Sequence, residues 1–185
     1  MQIKNLLVSV TGAVGAVAMP QYVLQFRQSL AVNVQVVMTK SARRFVTAYA
    51  LRLLSGRRVI TTMFDEGGGL LVPHIELARW ADLHLIAPAS ASTISKASGG
   101  AGNDLVSLLC LSCKCPTVFA PSMNGAMWAN TLVQRNIERL ADAGYYFIEP
   151  QQGLEVAGME PTLGVMPPPD VIIKYIKALP EKAGS

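Results

Sequence analysis

A doubly wound α/β fold, with one parallel sheet in a single domain over residues 1–185, is what this sequence predicts. Short apolar runs alternate with helix-length segments along nearly the whole chain. The runs lack the in-and-out alternation of a sheet with one wet face, which suits strands covered on both sides. The junctions where a run gives way to a helix are rich in Gly, Ser, Thr and Pro. Strands alternating with helices in this way build a parallel sheet with helices packed on both faces.

The first strand is 3–10, apolar after a polar start, and a helix follows over 14–30 with Pro20 marking a kink or a late first turn. The second strand, 32–38, leads to a helix over 43–54, and a short strand at 59–61 precedes the Gly67-Gly68-Gly69 turn. Residues 74–80 suit a short helix and 83–87 the next strand. Helical patterns over 92–97 and 104–111 lead to strand 117–120, which Pro121 stops because it lacks the N–H a ladder needs. The amphipathic stretch 131–143 reads as a helix ended by Gly144, a favoured residue just past a helix C-terminus. Strand 146–148 and helix 171–179 complete the set. Between them the pattern breaks, with Gly153, Gly158, Gly164 and Pro150, Pro161, Pro167, Pro168 and Pro169 inside 149–170. About twenty irregular residues are uncommon in a compact domain and usually functional. The expectation is a substrate-clamp loop at about 150–169, set against a surface excursion without a role.

Composition narrows the class. Hydrophobic residues make up 51% and charged residues 15% of 185 residues. So little polar surface points to further burial in an oligomer, although a generous core also raises the figure. No apolar stretch reaches the roughly 18 to 20 residues of a membrane span. Residues 1–5 carry no signal-peptide pattern, and the expected location is cytoplasmic. The net charge of +4 comes from scattered basic residues. The cluster at 40–44 sits beside a candidate phosphate loop, and Arg57-Arg58 is too short for a nucleic-acid stripe. Neither a nucleic-acid nor a membrane partner is expected.

Cys110, Cys113 and Cys115 lack flanking ligands to complete a zinc set, with His74 and His84 remote in sequence. No metal site is expected, and Cys110 falls in an apolar helical run as packing.

The strand ends carry the chemistry. Thr11-Gly12-Ala13-Val14-Gly15 closes the first strand. Gly there lets the backbone approach a ligand, and free N–H groups at a helix start favour phosphate. It is not a full GxGxxG dinucleotide pattern. Thr39-Lys40-Ser41-Ala42 follows the second strand and Pro88-Ala89-Ser90-Ala91-Ser92-Thr93 the fourth. Ser and Thr are ordinary helix caps, yet several such loops on one sheet edge describe a mononucleotide cleft. The most elaborate is Pro121-Ser122-Met123-Asn124-Gly125-Ala126-Met127-Trp128. Met127 and Trp128 alone read as core filler; Asn124 beside them, at a strand end, points to a site.

Residues 88–93 resemble the PASANT motif, and 121–128 match PxMNxxMW, of the homo-oligomeric flavin-containing cysteine decarboxylases. The resemblance runs from the first strand to Met166-Pro167. Ser92 departs from PASANT, standing where the family has Asn. The resemblance implies a flavodoxin-like fold, FMN as cofactor with FAD the alternative, and a homo-oligomer, either a trimer or a dodecamer of trimers. Flavin prenyltransferases share the fold but generally lack PxMNxxMW. Phosphopantothenoylcysteine decarboxylases carry a lid Cys, and Ala157 stands in its place here. The chain therefore looks most like the enzymes that oxidatively decarboxylate a C-terminal cysteine of a ribosomally made precursor peptide, as in lantibiotic biosynthesis. Phosphopantothenoylcysteine decarboxylation and a non-catalytic flavin-binding regulatory subunit are the alternatives. By resemblance His74 is the catalytic base and Asn124 binds the substrate carboxylate. Gly12, Thr39, Ser41, Ser90 and Ser92 would contact the cofactor, and Met127 and Trp128 would shape its pocket or pack in the core. Gly158 and Met166 belong to the substrate clamp.

Overall fold

In the computed structural model, which describes residues 3–30, 32–64, 69–156 and 158–180, five parallel strands form the central sheet. They are β1 (Asn5–Val10), β2 (Asn33–Met38), β3 (Leu83–Ala89), β4 (Thr117–Pro121) and β5 (Tyr146–Phe147), in the order β2-β1-β3-β4-β5. That is the flavodoxin-like order, as expected. The direction of winding reverses between β1 and β3, which opens a crevice beyond their carboxyl ends.

The helices are α1 (Met19–Leu30), α2 (Ala48–Ser55), α3 (Pro73–Trp80), α4 (Ala91–Ser98), α5 (Leu105–Ser112), α6 (Gly125–Trp128), α7 (Thr131–Asp142) and α8 (Pro169–Ala178). Alternate residues of β1 feed opposite cores. Leu6, Val8 and Val10 pack with Met19, Val23 and Phe26 of α1, Leu51 of α2 and Ile172 of α8. Leu7 packs with Leu77 of α3 and Leu109 of α5 on the other face. Farther along that sheet, Ile86 and Phe119 meet Ile94 of α4 and Leu140 of α7. Burial on both faces removes any reason for polar alternation, which is why the strands read as plain apolar runs. Phe119 also stacks on Phe147, ring centroids 4.9 Å apart, and so ties the short edge strand β5 to the sheet.

Several boundaries differ from the sequence reading. The helix expected over 14–30 divides into a 3₁₀ turn, Val14–Ala18, and α1, with Pro20 in the first turn of the latter. The helix expected over 43–54 likewise begins late. A 3₁₀ turn at Ala42–Arg44 comes first, and α2 starts only after Thr47, whose hydroxyl accepts from the Ala50 N–H at 3.1 Å. The strand expected at 59–61 is a single bridge, Val37 with Ile60. Within the glycine turn, Gly67 and Gly68 lie outside the described residues. Pro121 does not stop β4 at 120, and β3 runs past the expected 87. Pairing resumes past Pro88 with Ala89 opposite Pro121 after a shift of register. Each proline needs only its carbonyl at a strand terminus.

The largest difference is the stretch 149–170. It is no open loop but contains an antiparallel hairpin, β6 (Gln151–Leu154) with β7 (Pro161–Val165). Its Gly, Gln and Pro residues are poor strand formers. The pairing is instead supported by docking against the segment after β4.

Candidate functional site

A cleft of about 890 Å³ opens beyond the carboxyl ends of β1, β2, β3 and β4, large enough for a cofactor and part of a substrate. Gly12, Thr39, Ser41, Ser90, Ser92, Asn124, Met127 and Met166 all line it. His74, Trp128 and Gly158 are not among the lining residues. His74 sits half-buried in the first turn of α3, Trp128 ends α6, and Gly158 is exposed near the tip of the hairpin.

The loops meet through Thr11, a fully buried residue at the end of β1. Its hydroxyl donates to the Pro88 carbonyl at 2.6 Å and accepts from the Ser90 N–H at 2.9 Å, so one side chain fixes the β3–α4 junction. Ser90 then caps α4, accepting from the Thr93 N–H at 3.3 Å. Helix geometry leaves the Ala91 and Ser92 N–H groups without intrahelical partners, and both residues line the cleft. On the opposite wall Thr39 Oγ1 accepts from the Ala42 N–H at 3.2 Å. A capping hydroxyl keeps its own proton to donate outward.

Gly12, which lines the cleft, also makes room for a neighbouring loop. A Cβ there would collide with Cβ of Ser41, so the missing side chain lets the β1 and β2 loops close on each other. The donors these three loops bring to the cleft are hydroxyls, amides and Lys40, with no carboxylate. That set suits a phosphate, and the cleft as a whole fits a flavin mononucleotide.

The segment after β4 forms the far wall. Asn124 is the N-cap of α6, its Oδ1 accepting from the Met127 N–H at 2.8 Å. This cap fixes which way the carboxamide faces, because an amide has one acceptor and one donor end. Nδ2 has no protein partner among the described residues. The hairpin lies over this turn. Met123 N–H donates to the Gly164 carbonyl at 2.9 Å, and Gly125 N–H donates to Thr162 Oγ1 at 2.8 Å. Leu154, Glu155, Val156, Thr162 and Val165 add the hairpin's side of the cleft.

An ion pair in the cleft wall escaped the sequence reading. Lys96 Nζ lies 2.6 Å from Asp104 Oδ2, while Asp104 Oδ1 accepts from the Ser107 N–H at 2.9 Å as the cap of α5. Burial alone would raise the Asp104 carboxyl, but the Lys96 and Ser107 hydrogen bonds overcome it and hold the group below its ordinary value. The available signal was the Asp104-x-x-Ser107 capping pattern just ahead of an apolar run. Lys96 gave none.

Away from the cleft, His84 is fully buried in β3 with Nε2 2.8 Å from Ser9 Oγ, and Nδ1 has no partner among the described residues. Burial pulls its pKa down to about 3, so it is a neutral core histidine. Cys110 is buried as packing, and burial first, then the nearby Asp104 charge, pushes its thiol up to about 12. No helix among the described residues is long and apolar enough to cross a membrane.

Comparison with known proteins gives concordant likenesses. The flavoprotein family profile matches residues 1–180. The coenzyme A biosynthesis bifunctional protein CoaBC of Haemophilus influenzae is 37% identical over 155 residues, 84% of this chain and 38% of that protein. The chain thus spans well under half the length of this relative. Among solved structures, a PPC decarboxylase mutant complexed with pantothenoylaminoethenethiol aligns with a TM-score of 0.83 at 29% identity, covering 94% of this chain and 96% of that one. The FMN-dependent cysteine decarboxylase SpaF aligns at 0.76 and 34% identity, covering 87% and 89%.

Proposed function

Because the chain belongs to the flavoprotein family, we propose that it is an FMN-dependent decarboxylase that acts oxidatively on the C-terminal cysteine of a ribosomally made precursor peptide. One observation carries the reading. Asn124 is locked by its cap with Nδ2 as the available donor, in a cleft that also offers a phosphate-binding rim and a hairpin roof. The likeness to the FMN-dependent cysteine decarboxylase SpaF supports the cofactor and the reaction class.

A cysteine carboxylate holds its CO2 because electrons left on Cα have no acceptor. Bound flavin supplies a two-electron oxidation of the Cβ–SH unit, giving a thioaldehyde whose C=S lies β to the carboxylate. The protein's tasks are orientation and proton handling. Asn124 Nδ2 donates to the carboxylate and holds the C–COO bond in line with the C=S acceptor. CO2 then leaves and the pair settles as an enethiolate, which is protonated to the enethiol. The amides of Ala91 and Ser92, with the hydroxyls of Thr39, Ser41 and Ser90, hold the cofactor phosphate. The hairpin excludes water from the cleft, and Met127 and Met166 provide apolar contact beside the reacting centre.

His74 accepts the thiol proton as the general base. It does not line its own chain's cleft, so in this reading it works from a neighbouring copy in a homo-oligomer. Exposed Leu71 and partly exposed Ile75 beside it give that contact an apolar surface.

A second reading is phosphopantothenoylcysteine decarboxylation, favoured by the likeness to CoaBC and to the PPC decarboxylase structure. The sequence speaks for the peptide through Ala157, in the place of the lid cysteine that would reduce the enethiol to a saturated thiol. Ala157 lies outside the described residues. Offering the flavin-loaded protein both substrates separates the readings: an enethiol peptide supports the first, a saturated pantothenoyl thiol the second. His74→Asn and Asn124→Asp are expected to keep flavin and lose turnover, and activity retained in either removes that residue from its role.

A further inference from the structure

We propose that Thr162 is a positioning residue that sets the carboxamide of Asn124 from the roof of the cleft, acting through the first turn of α6. The inference rests on the reading of Asn124 as the carboxylate-binding group. Helix α6 has four residues, and nucleating so short a turn fixes several dihedrals for one hydrogen bond. Its first amides therefore depend on partners from outside the helix.

Two side chains supply them. Gly125 N–H donates to Thr162 Oγ1, and Met127 N–H donates to Asn124 Oδ1, both at 2.8 Å. The second bond is what orients Asn124, and it forms only while the turn keeps its shape. The first bond holds that shape from the hairpin.

The contact is built to be close. A Cβ on Gly125 would lie 2.5 Å from Thr162 Oγ1, and a Cβ on Gly164 would run into the Met123 carbonyl oxygen. Gly164 also has φ 144, a conformation that favours glycine. One glycine on each partner thus lets strand and turn approach to hydrogen-bond distance. With Met123 N–H bonded to the Gly164 carbonyl, β7 is fastened on both sides of Asn124.

The test compares Thr162→Val, which keeps the branched shape and removes the hydroxyl, with Thr162→Ser, which keeps the hydroxyl. Amide exchange of Gly125 and Met127 is followed in the flavin-loaded protein, together with flavin affinity and the kinetics of whichever cysteine substrate is turned over. Thr162→Val is expected to exchange about tenfold faster at both amides and to lower kcat about tenfold with KM within about twofold, since misorientation affects the reacting geometry more than binding. Flavin affinity stays unchanged, and Thr162→Ser matches the wild type. Wild-type exchange in Thr162→Val, or equal impairment in Thr162→Ser, overturns the proposal. If the wild type turns over neither substrate, the functional reading fails and exchange alone decides the tether.

Discussion

Acidification offers a quantitative test of the core through His84. The ring is fully buried in β3, Ser9 hydrogen-bonds Nε2, and no described residue is placed to accept an N–H at Nδ1. Its pKa of about 3 in the folded chain compares with an ordinary 6.5. Above pH 6.5 both states are neutral and this residue leaves stability independent of pH. As pH falls from 6.5 toward 3, the unfolded chain takes up a proton that the folded chain refuses. Stability then falls by about 1.4 kcal/mol per pH unit, or about 3 kcal/mol by pH 4. The depressed Asp104 carboxyl acts in the same direction on acidification, its contribution being lost as pH drops through its folded value. The assay must therefore compare two proteins. Urea unfolding of the wild type and of His84→Gln is measured between pH 7 and pH 4, Gln retaining a hydrogen-bonding group for Ser9. The wild type should lose about 3 kcal/mol more than the variant over this range. Parallel pH profiles would refute the reasoning, because they would mean that His84 titrates alike in both states.

Three further outcomes are expected. Gly164→Ala introduces a Cβ against the Met123 carbonyl at φ 144, a strain of about 1–3 kcal/mol. Limited proteolysis within the hairpin should accelerate, and an unchanged cleavage rate would contradict the docking. Asp104→Ala removes the cap of α5 and the partner of Lys96. A loss of about 1–2 kcal/mol, or a Tm lower by about 3–6 °C, should follow in a thermal melt, and an unshifted Tm contradicts it. Co-assembling the inactive variants His74→Asn and Asn124→Asp should restore partial turnover, since some clefts then receive both intact groups from two copies. No recovery in verified mixed assemblies argues against His74 acting between copies.

The sheet and the strand-end loops were legible because their causes are local. Doubly buried strands such as 83–87 are apolar but for His84, and Thr, Ser and Gly at their ends mark helix caps and close approaches. Asn124 stood out as an amide at a strand end, while its capping of α6 became visible only in the structure. What the sequence concealed depends on contacts between distant segments. The hairpin of β6 and β7 is interrupted by Gly and Pro, and β7 is held by Met123 and Gly125, so no periodicity announced it. Gly12 read as room for a ligand, and its close approach to Ser41, a neighbour on another loop, was not visible in the sequence. Lys96 became part of the cleft only through Asp104, whose capping role was readable while its ion pair was not. The 3₁₀ turns at Val14–Ala18 and Ala42–Arg44 precede α1 and α2, which moved both helix starts.

The central claim is a coupled oxidation and decarboxylation of a terminal cysteine, and its stoichiometry is the most direct measurement. Flavin-loaded protein, without oxygen, is mixed with limiting peptide ending in cysteine, and flavin bleaching, released CO2 and peptide mass are followed together. One CO2 and one reduced flavin are expected for each peptide that loses CO2 and two hydrogens, with none of this in Asn124→Asp. CO2 released while the flavin returns to its oxidised state, with a saturated thiol as product, would contradict the claim.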